Sequence, residues 1–130
     1  MFQTTLHTPF PALGQTPEGC SSYTFPKLMG NAKASEVLLL GRKLSAQTAY
    51  ERNLVTEVFP AATFQKEAWN RVKQYAALPP QTLCLAKNQM RADDREKLRA
   101  INEAECVQLA ERWQSEECMS AIMAFFTRKK

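Results

Sequence analysis

The sequence predicts a mostly α-helical fold with short β segments, and three observations carry that expectation. From position 42 to the C-terminus there is no glycine, and apolar side chains recur there at three- and four-residue intervals. The first thirty residues hold Pro9, Pro11, Pro17 and Pro26 together with Gly14, Gly19 and Gly30, which is loop chemistry. Between these regions Val55-Thr56-Glu57-Val58-Phe59 alternates as a short strand does, and Pro60 stops it.

Taken in order, the residues justify each element. Helix cannot run through Pro9-Phe10-Pro11 or Gly14-Gln15-Thr16-Pro17, so Glu18 falls in an irregular segment. Ser21 to Met29 reads as a short helix interrupted near Pro26 and stopped by Gly30-Asn31. Ala32 to Leu40 are good helix formers ended by Gly41. Ser45 caps a helix reaching about Arg52, which Asn53 breaks. Thr63 is the expected N-cap of a helix carrying Phe64, Ala68, Val72 and Tyr75, and Leu78-Pro79-Pro80 interrupts it. Pro80 suits the first turn of the next helix, with Leu83, Ala86 and Met90 on one face. Asp93 or Asp94 is expected to start another, with Leu98, Ile101, Glu105, Leu109 and Trp113 at helical intervals. Ser115 caps the last, whose Glu116 and Glu117 suit the positive end of its dipole and whose stripe is Met119, Ile122, Met123 and Phe126. Several apolar stripes with few loops to shield them point to association, against the plainer alternative of a self-contained bundle.

Composition narrows the class. At 130 residues, with 45% hydrophobic and 23% charged side chains, the chain fits one ordinary folded domain and not disorder, collagen or a disulfide miniprotein. Its longest apolar runs, Val37 to Leu40 and Ala121 to Phe126, fall far short of the ~20 residues that span a bilayer. Met1 to His7 shows neither the basic nor the apolar region of a secretory signal, so a reducing compartment is expected. Cys20, Cys84, Cys106 and Cys118 include no C-x-x-C pair and are expected as buried thiols. With His7 the only histidine, no metal site is expected. A net charge of +4, partly from Arg128-Lys129-Lys130, lacks the long basic stripe of a nucleic-acid binder and suits a phosphate-bearing small molecule equally well.

Glu18 is the foremost candidate for chemistry. Pro17 fixes the loop and Gly19 allows close approach, so the carboxylate can be held, and partial removal from water would favour taking and returning a proton near neutral pH. The plainer alternative is a helix-start glutamate that meets the free amides around Ser21 and Ser22. Ser21 and Ser22 have only His7 as a conceivable partner, so a Ser-His triad is unsupported. Cys20 lies near a helix start, with buried inert thiol the ordinary role. There is no G-x-G-x-x-G or phosphate-loop sequence. Phe125-Phe126-Thr127-Arg128-Lys129-Lys130 offers cations and an aromatic for a phosphate group, or is a solvated tail.

Thr8-Pro9-Phe10, Leu13 to Ser22, Phe25-Pro26-Lys27, Gly41-Arg42-Lys43-Leu44-Ser45-Ala46 and Leu54 to Phe59 occur in an order that closely resembles the crotonase (enoyl-CoA hydratase/isomerase) superfamily, within it the peroxisomal Δ3,Δ2-enoyl-CoA isomerases. The resemblance implies the C-terminal portion of the crotonase α/β spiral fold. Residues 1–60 would end the spiral core and carry the catalytic-glutamate loop, and residues 61–130 would form a helical trimerisation region. It implies that Glu18 takes a proton from C2 of a 3-enoyl-CoA and returns one to C4, with the fatty enoyl-CoA as substrate and no separate cofactor. It further implies that Phe125 and Arg128 approach the CoA nucleotide from a neighbouring subunit. In the family, the amides facing the developing enolate oxygen come from an earlier glycine-rich segment that this sequence does not contain, so the isolated chain is expected to be inactive. The location implied is the peroxisome, or the mitochondrion, although no Ser-Lys-Leu-type tail is present. The chain also resembles the chromodomain Y-like group, whose crotonase-like domain serves partner binding and has Pro-Asp-Gly where this chain has Pro17-Glu18-Gly19. A truncated helical association module is a further alternative.

Overall fold

Residues 4–127 are described by a computed structural model. The chain opens with β1 (Thr5–Leu6), a 3₁₀ turn (Pro11–Leu13), and the adjoining helices α1 (Ser21–Met29) and α2 (Asn31–Leu38). Then come β2 (Leu44–Ser45), α3 (Ala46–Glu51), α4 (Phe64–Ala76), α5 (Pro80–Trp113) and α6 (Glu116–Thr127). The fold is mostly helical with short strands, as expected, but the strands lie elsewhere. β1 and β2 pair antiparallel, with Thr5 opposite Ser45 and Leu6 opposite Leu44. Residues 55–59 form no strand, because their backbone finds no second strand to pair with. Side chains hold this stretch instead: Glu57 pairs with Arg71 at 3.0 Å and accepts from the Tyr75 hydroxyl at 3.0 Å, both on α4.

The main cluster of buried apolar residues belongs to the first part of the chain, with Leu109 and Cys118 buried apart from it. Met29, Ala34, Val37 and Leu44 form it, with Leu6, Phe25 and Leu54 packed against them. α3 is fastened to α2 by Arg52, whose buried guanidinium donates to the Glu36 carboxylate at 2.6 Å and to the Lys33 carbonyl at 3.4 Å. That hydrogen bond is the chief cause holding the Glu36 carboxyl below its ordinary value of 4.5, with Arg42 adding to it. By contrast Trp69, Val72, Tyr75, Met90, Trp113, Met123 and Phe126 are exposed, so the apolar stripes of α4 to α6 are largely uncovered among the described residues.

Local signals fix several boundaries. The Ser45 hydroxyl accepts from the Thr48 amide at 3.1 Å and the Ser115 hydroxyl from the Cys118 amide at 3.2 Å, so both act as the expected caps. Asn53, at φ 61°, ends the turn that follows α3. α4 starts at Phe64 as expected, although the Thr63 hydroxyl donates to the Pro60 carbonyl rather than capping.

Three boundaries differ. α1 runs unbroken through Pro26, since the missing amide forfeits only one bond, to a carbonyl in the first turn. α2 spans Asn31–Leu38 rather than residues 32–40. α5 is one helix of 34 residues, about 51 Å long, with no new start at Asp93 or Asp94. The Asp94 carboxylate is occupied elsewhere: it accepts from the Tyr23 hydroxyl at 3.0 Å and pairs with Lys27. The Lys27 bond chiefly holds the Asp94 carboxyl below its ordinary range, and Asp94 in turn raises Lys27.

The cysteines also depart from expectation. Cys118 is buried and Cys20 half-buried, but Cys84 and Cys106 are exposed, because among the described residues nothing covers their faces of α5.

The 3₁₀ turn docks on α6 where Gly14, at φ 63°, meets Cys118. A Cβ at Gly14 would stand 2.8 Å from the Cys118 Cα, and the Cys118 thiol donates to the Leu13 carbonyl at 3.3 Å. Only glycine meets both demands. Gly14→Ala is therefore expected to destabilise the fold by about 2–4 kcal/mol, through left-handed backbone strain and overpacking together. Urea unfolding checks this, and an unchanged midpoint would contradict the docking.

Candidate active site

Glu18 begins a tight reversal. Its carbonyl accepts from the Ser21 amide at 3.1 Å, and the two central residues, Gly19 and Cys20, have φ of 63° and 60°. An i to i+3 bond across two left-handed residues defines a type I′ turn. Gly19 is needed for its dihedral and not for space, since a Cβ there would meet nothing within 4 Å. Cys20 takes the same conformation with a side chain present, at a cost of roughly 1–2 kcal/mol.

The compensation comes from a residue far along the chain. The Glu105 carboxylate, on α5 and only 8% exposed, accepts from the Cys20 amide at 2.6 Å through Oε2. Its Oε1 accepts from the Ser22 amide at 3.0 Å and the Ser22 hydroxyl at 2.5 Å. A carboxylate over the first amides of a helix also faces the positive end of the helix dipole. The Cys20 thiol adds a bond to the Leu98 carbonyl at 3.3 Å.

The segment is held at its other end by the same helix. Arg112 Nε donates to the Gly14 carbonyl at 3.1 Å, and its Nη2 pairs with Glu117 at 2.5 Å. Glu105 and Arg112 are seven residues apart and so lie on nearly one face, about 10 Å apart along the axis. Leu109, also buried, sits between them, and Lys97 lies 4.4 Å over the Tyr23 ring. Residues 14–22 are thus clamped by one face of α5. Trp113, expected in that stripe, is exposed, and Arg112 turns inward in its place.

Within this frame Glu18 itself is exposed rather than partly withdrawn from water, because the described residues close no wall over it. It is not the capping glutamate of the plainer alternative. The Cys20 and Ser22 amides belong to Glu105, and the Ser21 amide to the turn. For the same reason none of those three amides is free to face a developing oxyanion. A groove of about 440 Å³ lies elsewhere, between residues 54–59 and α4, and Glu18 does not line it.

Of the other candidates, Ser22 is committed to Glu105, Ser21 is buried, and His7 is exposed. Phe125 is 40% exposed and packs edge-on against Phe126, with ring centroids 5.8 Å apart. Arg128 lies outside the described residues. Among the described residues no cluster of His, Cys, Asp or Glu is arranged to hold a metal ion, and no helix is long and apolar enough to cross a membrane. Sequence reasoning placed Glu105 in an apolar stripe without a role. A carboxylate at a stripe position, between Ile101 and Leu109, was the available signal.

The sequence pattern of the Enoyl-CoA hydratase/isomerase family matches residues 3–130, and the chain belongs to that family. It is 58% identical over 125 residues to enoyl-CoA delta isomerase 2 of Rattus norvegicus, covering 96% of this chain and 32% of that protein. To enoyl-CoA delta isomerase 3, peroxisomal, of Mus musculus it is 46% identical, with 96% and 39% covered. To the chromodomain Y-like protein of Homo sapiens it is 41% identical, with 94% and 20% covered. The crystal structure of an enoyl-CoA hydratase/isomerase from Pseudoalteromonas atlantica T6c superposes with a TM-score of 0.91 at 31% identity, over 98% of this chain and 51% of that one. The chain therefore has a crotonase-type fold and spans about a third of the length of the delta isomerases it matches.

The turn geometry sets a test. Cys20→Gly is expected to unfold within about 1 kcal/mol of the parent, since relief of the left-handed strain offsets what glycine loses. Cys20→Val should cost about 2 kcal/mol or more, because a β-branched residue resists φ near +60°. Equal tolerance of both in urea unfolding would show that the turn is not left-handed at Cys20.

Proposed function

We propose that the chain is the C-terminal portion of an enoyl-CoA delta isomerase that moves a cis- or trans-3 double bond of a fatty acyl-CoA to trans-2 during β-oxidation of unsaturated fatty acids. Glu18 is its acid/base. The observation that carries this reading is the display of Glu18 on a turn held at both ends, in a chain 58% identical to a delta isomerase. As base, the carboxylate accepts a proton from C2 and the C2–H electrons enter the thioester enolate. As acid, it returns a proton at C4 while the double bond forms between C2 and C3. Reusing one carboxylate for both transfers requires that it stay close to C2 and C4 throughout, which a clamped loop provides.

The enolate needs donors other than the Cys20, Ser21 and Ser22 amides, which are already spent. The needed donors belong to the remainder of the longer protein, and the isolated chain is accordingly inactive. Residues 1–60 close the spiral core around the glutamate loop. Residues 61–130 form the trimerisation region, and the exposed apolar residues of α4 to α6, Trp69, Trp113 and Met123 among them, are its packing surface. Phe125 and Arg128 contribute to holding the CoA nucleotide. A peroxisomal location, with a mitochondrial one as the alternative, is in keeping with the peroxisomal delta isomerase among the relatives.

The chromodomain Y-like relative at 41% identity supports a second reading, a non-catalytic binding or association module. Assay of trans-3-enoyl-CoA isomerisation separates the two. Activity is expected only when this segment is joined to the missing portion of the domain, and it should fall at least about a hundred-fold in Glu18→Gln. An inactive complete protein would overturn the isomerase reading and favour the binding module.

A further inference from the structure

We propose that Glu105 is the positioning residue for the acid/base Glu18, setting the conformation of its turn from α5. The proposal rests on the reading of Glu18 as the base and goes beyond it by naming what holds that base in place. Three observations converge on it. The turn is intrinsically unfavourable at Cys20, which sits at φ 60° without being glycine. The Glu105 carboxylate satisfies the amide of that strained residue at 2.6 Å. Its second oxygen takes the amide and hydroxyl of Ser22, so the two oxygens span the junction between the Glu18 turn and α1.

The chemistry of the group is specific. Both oxygens of a carboxylate accept, and the three groups facing it at Cys20 and Ser22 all donate. In Glu105→Gln one oxygen becomes an NH₂ that must face a donor, so one arm is lost whichever way the amide points. Glu105→Asp keeps the charge but is one methylene shorter and cannot reach both ends. A displacement of the Glu18 carboxylate by about 1 Å is enough to slow proton transfer roughly a hundred-fold without altering substrate grip.

The test is steady-state isomerisation of a trans-3-enoyl-CoA by the full-length protein that carries this segment. Glu105→Gln, Glu105→Ala and Glu105→Asp are compared with Glu18→Gln and with Asp94→Asn. Asp94→Asn loosens α5 from Tyr23 and Lys27 without touching the turn. The expected result is a kcat lowered roughly ten- to hundred-fold in Glu105→Gln, less in Glu105→Asp, with KM changed by less than about two-fold. Asp94→Asn should lower the thermal midpoint and keep kcat. Wild-type kcat per folded molecule in Glu105→Gln or Glu105→Asp, with Glu18→Gln inactive, would overturn the positioning role alone. Should Glu105→Gln and Glu105→Ala fail to fold, Glu105→Asp, the mildest change, decides by the same criterion. Retained activity in Glu18→Gln would overturn both this role and the assignment of the base.

Discussion

The carboxylate of Glu105 is the contact on which the glutamate loop depends. It accepts from two amides at a helix start, one of them on a residue in a conformation that side chains avoid, and it does so from a position more than eighty residues away in sequence. Hydrogen bonds to a charged, largely buried acceptor are each worth about 1.5–3 kcal/mol, comfortably more than the strain at Cys20. The balance explains why a cysteine can occupy a left-handed position there. It also explains why Glu18 is not itself drawn down onto the helix start: the amides that would attract it are already taken.

The rest of the local architecture follows from that clamp. α5 presents Asp94, Leu98, Glu105, Leu109 and Arg112 along one side; Leu109 is buried and each of the other four bonds to a group of the N-terminal segment. The 3₁₀ turn is pinned where Gly14 meets Cys118, so the loop between positions 14 and 22 has two fixed ends and the Glu18 side chain at the surface. That combination is compatible with the proposed role of Glu18 as a base. The main apolar cluster of the segment is small and lies among β1, α1, α2, β2 and their neighbours, while the long helices bury Leu109 and Cys118 but carry exposed tryptophans and methionines. The segment matches about a third of the length of its delta isomerase relatives.

What the sequence revealed was what is decided locally. Ser45 and Ser115 cap because their hydroxyls reach amides three residues on, and Asn53 stops a helix because its own backbone tolerates φ near +60°. Glu18 stood out from its immediate neighbours, and the turn that presents it was foreshadowed by the glycine at position 19. What the sequence could not reveal depends on distant partners. Asp94 resembles a helix start until Tyr23 and Lys27 claim it, and Val55 to Phe59 resembles a strand until no second strand arrives. Glu105 resembles a flaw in an apolar stripe until Cys20 and Ser22 are brought against it. Arg128 lies outside the described residues, so its expected place beside a nucleotide rests on resemblance.

The most direct measurement is amide hydrogen exchange at Cys20 and Ser22, resolved by NMR, in the parent protein and in Glu105→Ala. Both amides are expected to be protected in the parent to the level of the α1 interior. In Glu105→Ala both should exchange far faster while amides of α2 keep their protection. Fast exchange at Cys20 and Ser22 in the parent, or protection that survives loss of the carboxylate, would contradict this clamp.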